Sequence, residues 1–537
     1  MSDAPEQPAP ADSRAGPART GRSALLVAFG IFCSRVTGLV RQRVFAHYFG
    51  LGPEADAFLA AFKIPNFLQN LFGEGALSAS FIPVYASLVA RGDRRHADRV
   101  AGAVASVLAL VVSVIVLVGV VATPALIALI APGFTGATRE LTIRVVRILF
   151  PGAGLLVLSA WCLGVLNSHH RFLISYTAPV VWNAAMIATL VIFGAQTALP
   201  RLAEILAWGS VLGSGLQFAV QVPVVLRVAP DVRFALDTAS GEVRTVVRNF
   251  VPVFISRGVV QLSAYVDLLL ASLLPSGAVA GLTNAQTLYL LPVSLFGMSV
   301  SAAELPAMSG VATVDADGFD ALRRRLDAGL RQIAFFVVPS AMAFLALGDV
   351  LAAALLQTGR FGPADAVYVW GILAGSAVGL LASTLARLYS SSYYALRDTR
   401  TPLRFAIIRL VVTTALGYMC AIPLPRWLGI SERWGVAGLT ASAGIAGWIE
   451  MLMLRRTLNA RIGQTGLPAS YAIMLWLAAA SGAATAWAIK LAVPIADPII
   501  AAIVILGPYG LVFFAMAFAL RIPEAANMIQ KVTRRRR

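Results

Sequence analysis

Hydrophobic stretches of about twenty residues recur along almost the whole chain, and short polar connections separate them. A stretch of this length can cross the hydrocarbon core of a bilayer as an α-helix. The pattern therefore predicts an all-α, polytopic membrane protein with fourteen transmembrane spans, at residues 24–49, 55–90, 100–123, 140–166, 172–195, 202–226, 246–273, 279–310, 329–347, 364–395, 402–423, 434–455, 470–490 and 498–520.

The second and eighth stretches are too long to be simple spans, and both contain helix-breaking residues. These residues are Pro65, Gly73, Gly75 and Pro83 in the second, and Pro292, Gly297 and Pro306 in the eighth. Freed backbone groups at membrane depth are tolerated only where protein or a water-filled cavity covers them. We expect both spans to be broken or kinked helices that line an interior.

The chain also resembles itself at a fixed distance. Residues 32–36 (Phe-Cys-Ser-Arg-Val) resemble 254–258 (Phe-Ile-Ser-Arg-Gly), and residues 78–83 resemble 301–306, at offsets of 222 and 223 residues. Six spans per repeat is an even number, so the two halves would share one orientation and pair about an axis along the membrane normal. The predicted organisation is a tail at 1–23, two lobes at 24–230 and 231–456, two further spans at 457–521 and a basic tail at 522–537.

Composition agrees with a membrane protein, since 58% of the residues are hydrophobic and only 13% are charged. The net charge of +17 does not indicate nucleic acid, because 28 of the 43 Lys and Arg residues fall on the termini and even-numbered connections and six on the odd-numbered ones. Cytoplasmic loops carry such an excess. Both termini are therefore predicted to be cytoplasmic, in a multi-pass membrane protein.

Several kinds of chemistry lack a sequence signal. No Gly-x-x-x-x-Gly-Lys-Ser/Thr loop occurs, which argues against an ATPase. The three cysteines lie in separate apolar stretches, and the adjacent His169 and His170 suit a membrane interface better than a metal site. We expect a transporter rather than an enzyme, with no cofactor and no metal.

The first two spans hold five charged residues, Arg35, Arg41, Asp56, Lys63 and Glu74. A charge at the bilayer centre costs at least ~2.5 kcal/mol. Long side chains near a helix end can reach the interface instead, which suits Arg41 in part but not Arg35, Lys63 or Glu74. A shared, wetted interior is the interpretation that we favour.

Arginine binds phosphate oxygens with a planar, permanently charged fork. Arg35 and Arg257 occupy matching repeat positions and would face each other across the axis, with Arg41 and Lys63 in the same basin. An anionic substrate, phosphate or pyrophosphate, is therefore predicted. Asp56, Glu74 and Glu304 are candidate gating or salt-bridge carboxylates. Asp267 is either a ligand for a coupling ion or the partner of a neighbouring arginine.

The first two spans also carry a distinctive sequence block. It reads Ser-Arg-Val-Thr-Gly at 34–38, Ala-Asp-Ala-Phe at 55–58, Lys-Ile-Pro-Asn-Phe-Leu at 63–68 and Glu-Gly-Ala-Leu-Ser-Ala-Ser-Phe-Ile-Pro at 74–83. With Ala-Pro-Gly-Phe at 131–134 and Asp-Thr-Arg-Thr-Pro at 398–402, this block resembles the MurJ (MviN) family of lipid II flippases over nearly the whole chain after residue 23.

The resemblance implies the exporter fold of that superfamily, with two six-helix lobes around a cavity and two helices that form a groove for a lipid tail. It also implies the substrate, undecaprenyl-pyrophosphate-linked disaccharide-pentapeptide, moved to the outer leaflet by alternating access for cell wall synthesis. The functional positions that it implies are Arg35, Arg41, Asp56, Lys63, Asn66 and Glu74.

Two positions depart from the family pattern. Gln69 stands where members often have arginine, and residues 284–288 contain no cation where an arginine is common. Arg257 on the neighbouring span would replace that charge. Gln69 and Arg257 therefore join the candidate substrate-binding residues.

The expected partners are lipid II and membrane lipids, with the cell-wall synthesis machinery as a further candidate and a monomer as the expected state. The energy source is open between the membrane potential and a sodium or proton gradient. The competing functions are a flippase for lipid-linked polysaccharide repeats and a cation-coupled multidrug antiporter of the same superfamily. An antiporter for organic cations would favour an acidic, aromatic cavity, whereas these spans are net basic.

Overall fold

The computed structural model describes residues 17–236, 240–311 and 316–526, and these residues are almost entirely helical. We use the name first lobe for the helices α1 to α7, which are Pro17–Phe49, Pro53–Gln69, Ser78–Ala90, Arg94–Ile130, Gly136–Ser168, Phe172–Phe193 and Leu199–Val228. The second lobe comprises α8 to α15, which are Gly241–Ser272, Ala278–Pro292, Ser299–Val311, Ala316–Leu356, Pro363–Ala395, Arg400–Ala421, Pro423–Trp427 and Gly435–Ile462. The last two long helices are α16, Ala469–Ala492, and α17, Pro498–Ala519.

Eleven helical segments in the described part of the chain are long and apolar enough to cross a membrane. Three more segments lie where spans 1, 2 and 7 are predicted: α1, the α2–α3 pair and α8. Together they fit the predicted number of fourteen. One boundary differs, because α1 begins at Pro17 and not near residue 24, so the end of the predicted disordered tail is helical.

A π-helical segment interrupts each of the two overlong spans. It covers Asn70–Leu77 between α2 and α3, and Val293–Met298 between α9 and α10. The two segments begin 223 residues apart (293 − 70), which is also the distance between Pro83 and Pro306. The break is thus a repeated feature of the fold, in agreement with the internal repeat in the sequence.

Each lobe has its own buried core. In the first lobe, two clusters of buried side chains centre on Tyr85 and Trp161 and on Phe58 and Phe150. In the second lobe, a larger cluster surrounds Phe335, and it continues into α16 and α17. Lipid tails are as apolar as these side chains, so the hydrophobic effect does not favour association of the helices within the membrane. Van der Waals packing of the buried side chains stabilises each bundle instead.

Helix α8 connects the lobes by packing on both. Its first half meets the broken span of the first lobe, where Phe72 lies 5.5 Å from Phe250 and 5.0 Å from Phe254 between ring centroids. Further along, Tyr265 meets Phe67 edge-on at 5.4 Å. The second half of α8 packs on α13 and α15 of its own lobe. The span that carries Arg257 therefore lies along the boundary between the two bundles.

Candidate functional site

A carboxylate of the first lobe caps a helix of the second. Asp56 lies in the first turn of α2, and its buried side chain accepts hydrogen bonds from the backbone N–H groups of Gly277 (2.6 Å) and Ala280 (2.7 Å). These groups form the N-terminus of α9, where the helix dipole favours a negative charge. Gly277 has φ +91°, a conformation that glycine adopts without strain. Asp56 thus joins spans 2 and 8 across the lobe boundary.

Further inter-lobe contacts surround this cap. The amide of Gln42 donates to Asn284 (2.6 Å), and Arg43 donates to the carbonyl of Ala354 (2.7 Å). His47 Nδ1 lies 2.8 Å from the hydroxyl of Thr358. We call this end of the molecule, marked by the connections at 50–52, 273–277 and 357–362, the closed end. These five polar contacts, three of which are buried, hold the lobes together here.

Arg35 lies away from the closed end and reaches across the lobe boundary. Its side chain is exposed, and Nη1 donates to the hydroxyl of Ser294 at 3.2 Å. Ser294 belongs to the π-helical segment that breaks span 8. The guanidinium is therefore held by a weak neutral acceptor, which leaves most of its donors free for an anionic ligand.

Arg41 occupies a different place from the one that the sequence predicts. Its guanidinium carbon lies 4.8 Å from the ring centroid of Trp182 and 5.7 Å from that of Phe62, and Nη1 lies 3.8 Å from the sulfur of Met186. All three partners belong to the first lobe. Arg41 is therefore stacked inside that lobe, and the surface between the lobes contains Arg35 and Lys63 without it.

Lys63 faces the second lobe through α8. Its ammonium interacts electrostatically with Asp267, and its backbone carbonyl accepts a hydrogen bond from Tyr265 (3.0 Å). Asp267 also interacts with Arg409, which is 2.9 Å from Glu450. The charges alternate in sign from the first lobe into the interior of the second, so each buried charge has a compensating neighbour.

Asp267 and Arg409 share a cavity of about 140 Å³ in the second lobe, together with Gln286 and Tyr289. This cavity is polar enough to hold water. Arg409 thus lies near Asp267, and the role of Asp267 as a ligand for a coupling ion stays a prediction. In the described part of the chain, no group of three or more His, Cys, Asp or Glu side chains lies close enough together to hold a metal ion.

The remaining predicted residues are dispersed. Asn66 and Gln69 line a small cavity of the first lobe beside Trp182. Glu304 pairs with Arg325 at 3.4 Å within the second lobe, which is the salt-bridge role and not a contact between lobes. The side chains of Glu74 and Arg257 lie outside the described residues, although the helices that carry them are described.

Sequence reasoning missed several members of this site. Trp182 had no signal, because an aromatic residue in an apolar span is ordinary. Gln42 and Asn284 are uncharged and did not stand out among the membrane-embedded charges. Arg409 could have been found as one of the nine basic residues within spans or at their edges, and Glu450 as its acidic counterpart on the next long helix.

These features define a class of protein: a polytopic membrane transporter with two helical lobes, closed at one end and polar along the boundary between them. The family model described as lipid II flippase MurJ matches residues 45–519. This chain belongs to the MurJ family.

Relatives and solved structures agree with this family. A lipid II flippase MurJ of Burkholderia cenocepacia is 33% identical over 439 residues, which cover 81% of this chain and 82% of the relative. A probable lipid II flippase MurJ of Vibrio cholerae is 29% identical, with 82% of each chain covered.

A structure of lipid II flippase MurJ in an inward closed conformation matches 93% of this chain and 99% of its own, with a TM-score of 0.74 at 23% identity. An inward-facing multidrug transporter of the MATE family matches 82% and 98%, with a TM-score of 0.65 at 18% identity. At these sequence identities, the two structural matches show that the fold is shared and nothing further.

Proposed function

We propose that this chain moves lipid II from the inner to the outer leaflet of the bacterial cytoplasmic membrane, by alternating access of a site between the two lobes. The observation that carries the proposal is the pair of cations on the lobe boundary, Arg35 and Lys63, in a chain of the MurJ family. A pyrophosphate is the part of lipid II that such cations recognise. From the excess of arginine on one side we infer that both termini lie in the cytoplasm and that the closed end faces the periplasm.

Substrate binding is linked to the lobe boundary through Lys63. Its ammonium and the carboxylate of Asp267 attract each other electrostatically. A pyrophosphate that enters beside Arg35 competes for that ammonium and releases Asp267 to Arg409 within the second lobe. A ligand shifts a conformational equilibrium only by binding one state better than the other. When Lys63 exchanges Asp267 for the pyrophosphate, the attraction between α2 and α8 is lost. The substrate therefore binds better to the state in which the two helices are apart.

The transition to an outward-open state requires the closed end to separate. Asp56 then leaves the N-terminus of α9, and the contacts of Gln42, Arg43 and His47 with the second lobe break. Exposed groups regain hydrogen bonds with water, so the net loss for each contact is about 0.5–1.5 kcal/mol for neutral pairs and more for the charged ones. Rigid-body rocking of two bundles about such an interface is a common form of alternating access.

The energy source belongs to the same proposal. Asp267 has two internal cationic neighbours, Lys63 and Arg409. A coupling cation would have to compete with them, so Asp267 acts as a movable counter-ion in the scheme above. Transport then depends on the membrane potential or on a sodium or proton gradient acting elsewhere. Transport measured with ionophores that collapse the membrane potential, the sodium gradient or the proton gradient one at a time would identify the energy source.

The test uses cells depleted of their own lipid II flippase. This chain should restore growth and the supply of lipid II to the outer leaflet. Arg35→Ala should fail to do so at normal protein level, and Arg201→Ala should behave as wild type, because Arg201 lies in an exposed ion pair with Glu204. If wild-type protein at normal level leaves lipid II in the inner leaflet, the proposed substrate is wrong.

A cation-coupled multidrug antiporter is the alternative that the MATE-like fold raises. Recognition of organic cations needs carboxylates or open aromatic faces. Inside the first lobe, the aromatic faces of Trp182 and Phe62 are already covered by the guanidinium of Arg41, and on the lobe boundary the carboxylate of Asp56 caps α9. No observation favours this alternative over lipid II.

A further inference from the structure

A second polar cavity lies far from Arg35 and Lys63, between α11, α16 and α17. Its volume is about 280 Å³. Its polar wall consists of Asp349, Lys490 and Gln357, and its apolar wall includes Val350, Ala353, Ala501 and Ile505. The connections that border it, at 357–362 and 493–497, place it at the closed end of the molecule. Neither the exchange of charges at Lys63 nor the cap at Asp56 involves this cavity.

The polar wall is built around an ion pair. The ammonium of Lys490 donates to Oδ2 of Asp349, and both side chains are partly exposed to the cavity. The same ammonium lies 4.8 Å from the ring centroid of Trp487 and 5.7 Å from that of Trp370. Contact with aromatic faces stabilises a cation that has lost part of its water. Lys490 is therefore fixed in one position at the edge of the cavity.

A bend in α11 holds this arrangement. Leu347 departs from helical geometry (φ −131°, ψ 18°) just before Asp349. The indole N–H groups of Trp370 and Trp487 donate to the carbonyls of Leu345 (3.0 Å) and Ala346 (2.8 Å) at the bend. The two tryptophans thus tie the bend to α12 and α16 while their rings flank the ammonium. This is the support that a preorganised binding site requires.

One acceptor of the Asp349–Lys490 pair is unused. Oδ1 of Asp349 is buried and accepts no hydrogen bond within the described part of the chain. A buried carboxylate oxygen without a donor is costly, and native proteins rarely leave one so. The donor that fits best is a second ammonium group, because it would form a charge-assisted bond beside the one from Lys490. When a second cation binds Oδ1, the carboxylate no longer fully compensates the positive charge of Lys490. The ammonium of Lys490 can then bind an anion.

Two of the helices that form the cavity, α16 and α17, also carry large apolar side chains on their outer surface. Leu491 on α16 and Ile499 and Ile503 on α17 are exposed. Exposed apolar side chains on a membrane helix contact acyl chains. A ligand that enters from this side therefore combines acyl chains with a head that carries both an ammonium and an anion.

We propose that this cavity binds the head of a phospholipid with a primary amine, phosphatidylethanolamine being the type. The ammonium donates to Oδ1 of Asp349, and the phosphate accepts from Lys490. The acyl chains lie on the apolar surface of α16 and α17. In the orientation given above this lipid belongs to the outer leaflet, and it links the bend of α11 to the last two helices.

The proposal predicts a specific order among lipids. Phosphatidylcholine has the same net charge but no N–H donor, so it leaves Oδ1 unsatisfied. Phosphatidylglycerol has a phosphate and no ammonium, so it satisfies Lys490 alone. One charge-assisted hydrogen bond corresponds to a ratio of about tenfold in affinity. Phosphatidylethanolamine should therefore be retained about tenfold better than either of the other two.

The test is native mass spectrometry of the purified, delipidated full-length chain with equal amounts of the three lipids, alongside thermal unfolding in detergent. Wild type should prefer phosphatidylethanolamine and be stabilised by it. Asp349→Asn should lose the preference. Asp365→Asn is the matched control, because Asp365 pairs with Arg433 beside an aromatic ring at the closed end, outside the cavity. This control should keep the preference.

A variant that leaves both charges in place guards against misfolding of Asp349→Asn. Ala353→Phe should fill the cavity and abolish the preference while the Asp349–Lys490 pair remains. Equal retention of phosphatidylethanolamine and phosphatidylcholine by wild type would overturn the proposal. A preference for phosphatidylglycerol would also overturn it, as would an unchanged preference in a folded Ala353→Phe variant. Equal competition by soluble glycerophosphoethanolamine would show that the acyl chains do not contribute to binding, which contradicts the proposal as well.

Discussion

The carboxylate of Asp56 accepts hydrogen bonds from the backbone N–H groups of Gly277 and Ala280, so a residue of the first lobe completes a helix of the second. The bond exists only while the two lobes are in contact at the closed end. A charged cap at a helix N-terminus is among the stronger polar contacts in proteins. Its placement makes closure of this end depend on one side chain.

Asp56→Ala should shift the protein toward the state in which the closed end is open. Loss of hydrogen bonds to a charged group costs roughly 1.5–3 kcal/mol, which changes the ratio of the two states about ten- to a hundredfold. Ala46→Cys reports the shift, because Ala46 is fully buried against the second lobe. Its labelling by an impermeant thiol reagent, in a chain without the three native cysteines, should rise with Asp56→Ala.

Asp93→Ala is the control for this experiment. Asp93 caps α4 through the backbone N–H of His96, away from the lobe boundary. Labelling of Ala46→Cys should stay at the wild-type rate in this variant. If the rate in Asp56→Ala is no higher than in Asp93→Ala, the cap does not hold the closed end together.

Arg41→Ala should act on the stability of the first lobe as well as on transport. The guanidinium stacks on Trp182 and Phe62, and a cation–π contact that is shielded from water contributes about 2 kcal/mol. The thermal unfolding midpoint should fall in Arg41→Ala and stay unchanged in Arg35→Ala, because Arg35 is exposed. An equally stable Arg41→Ala variant would show that the stacked position is not a stabilising one.

Lys63 and Asp267 should be coupled energetically. Removal of one of two opposite charges that lie away from bulk water leaves the other without compensation and destabilises the protein, whereas removal of both is often closer to neutral. Lys63→Met and Asp267→Asn should therefore each lower thermal stability more than the double variant does. Arg201 and Glu204 form an exposed pair whose coupling should be about 0–1 kcal/mol. Additive effects at Lys63 and Asp267 would remove the partner exchange from the transport scheme.

Much of the architecture is readable from the sequence because hydropathy and Pro or Gly placement act locally. The broken spans were predicted from such residues, and the π-helical segments lie in those spans at the offset of the repeat. The site is less readable. Asp56 was identified as a gating or salt-bridge residue, yet its partners are backbone groups, which carry no sequence signal. The place of Arg41 depends on Trp182, a residue far along the chain that only tertiary packing brings near.

Asp398 shows that a family motif can have a structural role. This residue of the connection between α12 and α13 accepts hydrogen bonds from the backbone and hydroxyl of Thr401 (3.0 and 2.7 Å) and from Arg461 (2.8 Å). Partial burial alone would raise the pKa of Asp398, but these donors outweigh it and lower the pKa to about 2. Asp398 is therefore a charged cap for α13 at every physiological pH.

Asp398→Ala should destabilise the protein by about 1 kcal/mol, the usual cost of a lost N-cap. Because the pKa in the folded protein lies below the value of about 3.9 in an unfolded chain, the charged cap stabilises fully above about pH 4. That contribution is lost as the pH falls toward 2. The difference in unfolding midpoint between wild type and Asp398→Ala should be constant from pH 5 to about pH 8. A difference that changes across this range would contradict the assignment.

The central claim is that lipid II crosses the membrane only when the closed end opens. His47→Cys and Thr358→Cys, whose native side chains touch across the lobe boundary, allow that end to be locked by a disulfide in a chain without the three native cysteines. The measurement is the cleavage of lipid II by an externally added enzyme, in cells whose own flippase has been depleted. We predict that oxidation stops cleavage, that reduction restores it, and that either single cysteine has no effect. Cleavage that continues in the fully crosslinked protein would contradict the account.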